Sequence, residues 1–147
     1  MALVERKIFI KASYDKIEEM TTLAAQEWPQ WFVGIESAEP DANYPNEGST
    51  VKIHYKAAGL GFDLMQTLEK FVKNQKTVFR MDGMIKGTQS WSGQVDGDGV
   101  WITVVFDYEI PGGGLGKIAD KLVVERMNTK NLEQSLENLK ARVEASA

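Results

Sequence analysis

Cysteine is absent from the 147 residues, and with it go disulfides, thiolate metal ligands and cysteine nucleophiles. Histidine occurs once, as His54, too few for a histidine-based metal centre, and a Ser-His-Asp arrangement would have to use it. No metal is expected, and nothing in the sequence calls for a cofactor. No run approaches the roughly 20 apolar residues of a membrane span. The opening Met1-Ala2-Leu3-Val4-Glu5-Arg6-Lys7 lacks the apolar core of a signal peptide. A cytoplasmic protein without integral membrane association is the expectation. Positive charge is in deficit, with a net charge of -4, which argues against nucleic acid or an anionic membrane as principal partner. Neither glycine-rich stretch carries chemistry: Gly112 to Gly116 lacks the Lys-Ser/Thr of a phosphate loop, and Asp96-Gly97-Asp98-Gly99 lacks the later Glu of a calcium loop. Nothing in the sequence sets an oligomeric state.

What is present is an ordinary globular composition, 43% hydrophobic and 26% charged, of a length suited to one domain spanning 1–147. Val4, Arg6, Ile8 and Ile10 share one parity of an opening strand. Ser13 reads as an N-cap for a helix from Tyr14 to about Gln26, with a second helical turn through Trp31 and Phe32. Pro40 to Gly48 reads as a loop. Thr50–Ala57 alternates, with Val51, Ile53 and Tyr55 on one face and His54 among lysines on the wet one. Phe62–Lys73, Thr77–Asp82 and Thr88–Val95 follow as strands. The clearest is Val100–Ile110, which lines Val100, Ile102, Val104, Phe106, Tyr108 and Ile110 on one face.

After Pro111 to Gly116, about thirty residues lack Gly and Pro. Leu115, Ile118, Leu122, Leu132, Leu136, Leu139 and Val143 fall on one helical stripe. The stripe has a polar gap at Glu125, Arg126 and Thr129. The order, a strand, one or two helices, five or six strands with tight turns, and a long helix, gives an α+β fold in which the last helix covers one face of an antiparallel sheet.

Four pieces carry a resemblance that spans nearly the whole chain: the first strand into Ser13-Tyr14-Asp15-Lys16-Ile17; Trp28-Pro29-Gln30-Trp31; Glu47-Gly48-Ser49; and Tyr108-Glu109-Ile110 through Gly116 into a helix with Ser135-Leu136-Glu137-Asn138-Leu139-Lys140. The chain resembles the helix-grip fold of the START-like superfamily, which includes polyketide cyclase/dehydrase-like and coenzyme Q-binding proteins. The resemblance implies a curved antiparallel sheet wrapped around a long C-terminal helix, with two short helices after the first strand. It also implies a small hydrophobic molecule, lipid-, quinone- or polyketide-like, held between helix and sheet.

Strand parity proposes the lining of such a site: Ile53, Tyr55, Leu64, Gln66, Phe79, Met81, Trp91, Val104, Phe106 and Tyr108. Trp31 and Phe32 stand at an entrance or plug, and Leu122, Glu125 and Thr129 come from the helix. Each apolar member is equally what a packed core requires. Tyr55, Tyr108 and Gln66 need a hydrogen-bond partner, which a ligand, a backbone group or a water can supply. Glu125, Tyr108 and Tyr55 are the candidate catalytic groups. Glu125 serves as an acid or base if it faces an apolar cavity, and as part of a solvated turn if the helix shifts register so that Val124 and Met127 pack instead. Three functions stay open: ligand binding, a cyclase or dehydratase, and a protein-interaction module with a filled core presenting Trp28 to Phe32.

Overall fold

Val100, Ile102, Val104 and Tyr108, two or four residues apart, are buried, while Trp101 and Glu109 between and beside them are exposed, and the same alternation organises the other strands. In this computed structural model, which describes residues 2–57, 59–110 and 121–146, the elements are β1 (Ala2–Ile10), α1 (Tyr14–Met20), a 3-10 turn (Ala25–Gln30), β2 (Ile35–Pro40), β3 (Thr50–Ala57), β4 (Leu60–Val72), β5 (Lys76–Gly83), β6 (Lys86–Asp96), β7 (Gly99–Glu109) and α2 (Lys121–Ser146). The strands form one antiparallel sheet in the order β1-β7-β6-β5-β4-β3-β2. From β3 to β7 each strand pairs with the next in sequence. β1 instead crosses to β7, with Ile10 opposite Val100 and Ala2 opposite Tyr108. This is the α+β helix-grip arrangement that the sequence predicts.

The first helix departs from expectation. Ser13 does cap it, its hydroxyl accepting from Lys16 N at 3.1 Å, but α1 ends at Met20 instead of running to Gln26. The Trp28 indole N–H takes the Thr21 carbonyl at 2.8 Å, and the Thr22 hydroxyl is bonded to that of Thr77 on β5. Both contacts draw the chain out of the helix. The next helical turn comes at Ala25–Gln30, ahead of Trp31 and Phe32 and not through them. Strand β2 is an addition to the expected order: Ile35-Glu36-Ser37-Ala38-Glu39-Pro40 is a short edge strand with a register shift between Ile35 and Ser37. His54 does lie on the outer face, where its Nδ1 is 2.8 Å from Asp63 Oδ1 and its Nε2 3.3 Å from Glu36 Oε1.

Helix α2 packs on the inner face with Val124, Leu132, Leu136, Leu139 and Val143 buried. Lys140 Nζ donates to Phe9 O at 2.6 Å, and Glu144 Oε2 accepts from Lys11 N at 2.9 Å, tying the helix to β1 and the residue after it. Leu115 and Ile118 lie outside the described residues. Leu122, expected on the stripe, is 49% exposed. The register is set by Val124, and Met127 faces outward at 37% exposure.

Candidate functional site

Two tyrosines on the inner face of the sheet and two asparagines on α2 make a connected polar cluster. Tyr55 (β3) donates to Asn128 Oδ1 at 3.1 Å and accepts from Asn131 Nδ2 at 3.0 Å. Asn128 Nδ2 donates in turn to the Tyr108 (β7) hydroxyl at 3.3 Å. Among the described residues, the Tyr108 hydroxyl proton has no acceptor. Burial raises the pKa of both phenols. Tyr55 is pushed up to about 12, the bond from Asn131 opposing and Tyr108 reinforcing the shift. Tyr108 is raised by burial, lowered by the Asn128 bond and raised again by the nearby Glu125 charge. Both stay protonated at neutral pH and act as uncharged hydrogen-bonding groups.

Glycine makes these positions possible. A Cβ on Gly34, whose φ is +101°, would lie 2.4 Å from Cε2 of Tyr55, so the ring lies against bare backbone. Gly87 sits opposite Tyr108 in the β6–β7 pairing, with φ +149° and a would-be Cβ 2.0 Å from the Asp107 carbonyl oxygen. Any larger residue at either place strains the backbone and displaces a tyrosine.

The cluster stands on the wall of a hollow between α2 and the sheet. From β3 to β5 its lining is Ile53, Tyr55, Leu64, Gln66 and Met81, and from β6 and β7 it is Gln89, Phe106 and Tyr108. Val4, Phe32, Ile35, Ile85, Asn128 and Leu132 complete it. The space free of atoms is ≈ 540 Å³, counting where it opens to solvent, but the room left for the centre of a water-sized sphere is ≈ 40 Å³. A guest larger than a few waters must therefore push the walls apart. A smaller adjoining hollow shares Phe32, Ile35, Gln66 and Gln89 with the first and is otherwise lined by Thr21, Thr22, Trp28, Trp31, Phe79 and Trp91.

Of the residues proposed from sequence, Phe32, Ile53, Tyr55, Leu64, Gln66, Met81, Phe106 and Tyr108 line the main hollow. Trp31, Phe79 and Trp91 line the smaller one. Val104 is fully buried in the packed core and touches neither hollow. Glu125 is half-buried beside Tyr108, Thr129 returns its hydroxyl to the Glu125 carbonyl at 3.0 Å, and Leu122 points outward. The helix therefore brings Asn128 and Asn131 to the tyrosines, where the sequence pattern places Glu125 and Thr129. Their signal is legible in principle: Asn128, Asn131, Ser135 and Asn138 recur at spacings of three and four. Ser135 Oγ accepts from Val33 N at 2.8 Å, and Asn138 Nδ2 donates to Trp31 O at 3.1 Å, so this polar stripe holds the segment carrying Trp31 to Ile35. Trp28, Trp31 and Phe32 are 6%, 3% and 7% exposed; they plug the end of the core and present no surface patch.

Residues 1–144 match the family described as polyketide cyclase / dehydrase and lipid transport. A comparison with curated proteins finds no match. Among solved structures, a protein from Thermus thermophilus is similar with a TM-score of 0.80 at 19% identity, over 99% of each chain. A START superfamily protein from Mycobacterium smegmatis has a TM-score of 0.77 at 20% identity, also over 99% of each chain. The Zhui aromatase/cyclase from Streptomyces has a TM-score of 0.76 at 15% identity, over 97% of this chain and 93% of that one. At such identities the likeness is one of fold.

Proposed function

The chain belongs to the polyketide cyclase/dehydrase and lipid-transport family, and from that premise we propose that it binds a small, uncharged, largely apolar molecule between α2 and the sheet. The observation that carries this reading is the Tyr55–Asn128–Tyr108 cluster on the wall of a largely apolar hollow. Apolar walls supply the binding energy at about 25 cal/mol per Å² buried, and a few fixed polar groups orient the guest. The Tyr108 proton, without an acceptor among the described residues, can be given to a ligand carbonyl or ether oxygen. None of the described lining residues carries a charge at neutral pH, so a carboxylate or phosphate buried there would lack a counter-ion, which is costly.

Thermal unfolding and native mass spectrometry against a panel of neutral ring compounds, quinones and lipids test the reading. Expected is a rise in Tm and a retained complex for some neutral members, with Tyr108→Phe weakening the best binder about fivefold, the equivalent of one hydrogen bond of about 1 kcal/mol. If no neutral member raises Tm or survives into the gas phase, the reading falls.

The proximity of Glu125 to Tyr108 favours a second reading, a cyclase or dehydratase-type reaction with Glu125 moving a proton and Tyr108 holding the substrate oxygen. Glu125→Gln would then lower turnover of a bound neutral polyketone by roughly 10²-fold or more while leaving its affinity near that of the wild type. Unchanged turnover removes this reading and leaves binding untouched.

A further inference from the structure

The smaller hollow is lined by Trp31 and Gln66, residues only 3% and 4% exposed, and each carries a buried polar atom with no partner among the described residues, Trp31 Nε1 and Gln66 Oε1. Most of the polar groups around them are committed elsewhere. Trp28 Nε1 donates to Thr21 O, Trp91 Nε1 to Gln89 Oε1, the Thr21 hydroxyl to Ile17 O, and the hydroxyls of Thr22 and Thr77 share a bond. One buried donor and one buried acceptor are thus left over at one small hollow, a combination folded proteins avoid unless something bridges the two.

We propose that this hollow is a hydroxyl subsite: a single neutral O–H group there accepts from Trp31 Nε1 and donates to Gln66 Oε1. In the free protein the group is a water, and with the main hollow filled it is the hydroxyl of a ring-containing ligand. Size decides its nature. The hollow leaves ≈ 20 Å³ for the centre of a water-sized sphere, half of what the main hollow leaves, room on the scale of a water or a hydroxyl. Its described walls carry no charge to hold an anion. Gln66 also lines the main hollow, so a ring lying there meets this acceptor at its edge. The ligand's part in the proposal rests on the binding reading above; the water's part does not.

The test uses isotope-labelled full-length protein and two probes of nearly equal shape, 2-naphthol and 2-methylnaphthalene. In the free protein the Trp31 indole N–H, assigned by its disappearance in Trp31→Phe, should show cross-relaxation with a long-lived water. Addition of 2-naphthol should abolish it. The wild type should bind 2-naphthol at least about tenfold more tightly than 2-methylnaphthalene, although the methyl compound is the more hydrophobic, because the hydroxyl takes over the water's two hydrogen bonds whereas a methyl group in its place leaves donor and acceptor unpaired. Gln66→Met should erase or reverse that order. Thermal unfolding checks that the variants are folded; should Gln66→Met fail, Trp31→Phe keeps an aromatic side chain without the donor and gives the same comparison. Absence of the water signal overturns the subsite. Equal or reversed affinities in the wild type, or a preference that survives Gln66→Met, overturn its role towards ligand. A water signal with neither probe bound removes the binding of rings and leaves the water site standing.

Discussion

Glu18, on the inner side of α1, is 4% exposed, and only one of its oxygens has a partner: Oε2 accepts from Asn74 N at 3.0 Å, while Oε1 is buried and unbonded among the described residues. Burial raises its pKa, with the Asn74 bond and Lys73 opposing and Asp15 reinforcing. A carboxyl whose folded pKa lies above its unfolded value favours the fold most when protonated. Its contribution is fully present below the unfolded pKa, about 4.3, and is lost as pH rises through the folded one. Glu18→Gln keeps an acceptor for Asn74 and removes the charge. Its Tm should exceed that of the wild type at pH 7 by roughly 2–4 °C, the shift about 1 kcal/mol produces in a chain of this size, and the gap should close at about pH 4. An equal gap at both values counts against the assignment. Gly34 offers a second single-residue test, because alanine there must move the Tyr55 ring off the backbone. Gly34→Ala should cost more than about 1 kcal/mol in urea unfolding and should weaken any ligand that Tyr108→Phe weakens.

Helix α2 carries two stripes side by side, and this is why its role is half legible. The apolar one, Leu132, Leu136, Leu139 and Val143, is written plainly in the sequence, and all four are buried. The polar one, Asn128, Asn131, Ser135 and Asn138, follows the same spacing one step round the helix, and no local pattern says which polar side chains will face a partner. Glu125 and Thr129 therefore look like the gap over the cavity, while the contacts to Tyr55 and Tyr108 come from Asn128 and Asn131. The strands are legible for the opposite reason. Alternation is a local signal, and Ile53, Tyr55, Leu64, Gln66, Phe79 and Met81 are all buried as their parity requires. Strand β2 escapes because an edge position, a register shift and a terminal proline erase alternation. The two stripes predict different failures. Leu139→Ala, at a fully buried site, should lower global stability by about 2–5 kcal/mol. Ser135→Ala strips the Val33 amide of its acceptor and should cost about 1–3 kcal/mol. It should also speed hydrogen exchange at Val33 well beyond the global change; exchange that only tracks the global loss would show that the stripe does not hold the Trp31–Ile35 segment.

For the whole molecule, the sheet order puts β1 and β2, the strands flanking α1, at opposite edges. The sequence supports pairing of consecutive strands but contains no local signal for the β1–β7 pairing, which joins the two ends of the strand order. Pairings this distant in sequence slow folding, into the millisecond-to-second range for domains they dominate. Because Ile10 is fully buried and opposite Val100, Ile10→Ala should lower stability by about 2–5 kcal/mol. If β1 docks after the rate-limiting step, the loss appears almost entirely as faster unfolding, and stopped-flow kinetics would show an unchanged refolding limb. The same crossing has a consequence during synthesis. β1 leaves the ribosome with its apolar face made and its partner not yet translated, and at roughly 5–20 residues per second the delay before β7 appears is on the order of 5–20 s. Through that interval the charges at Glu5, Arg6 and Lys7, with Lys11 just beyond its end, are what a lone β1 has to keep it from pairing with its counterpart on a neighbouring nascent chain.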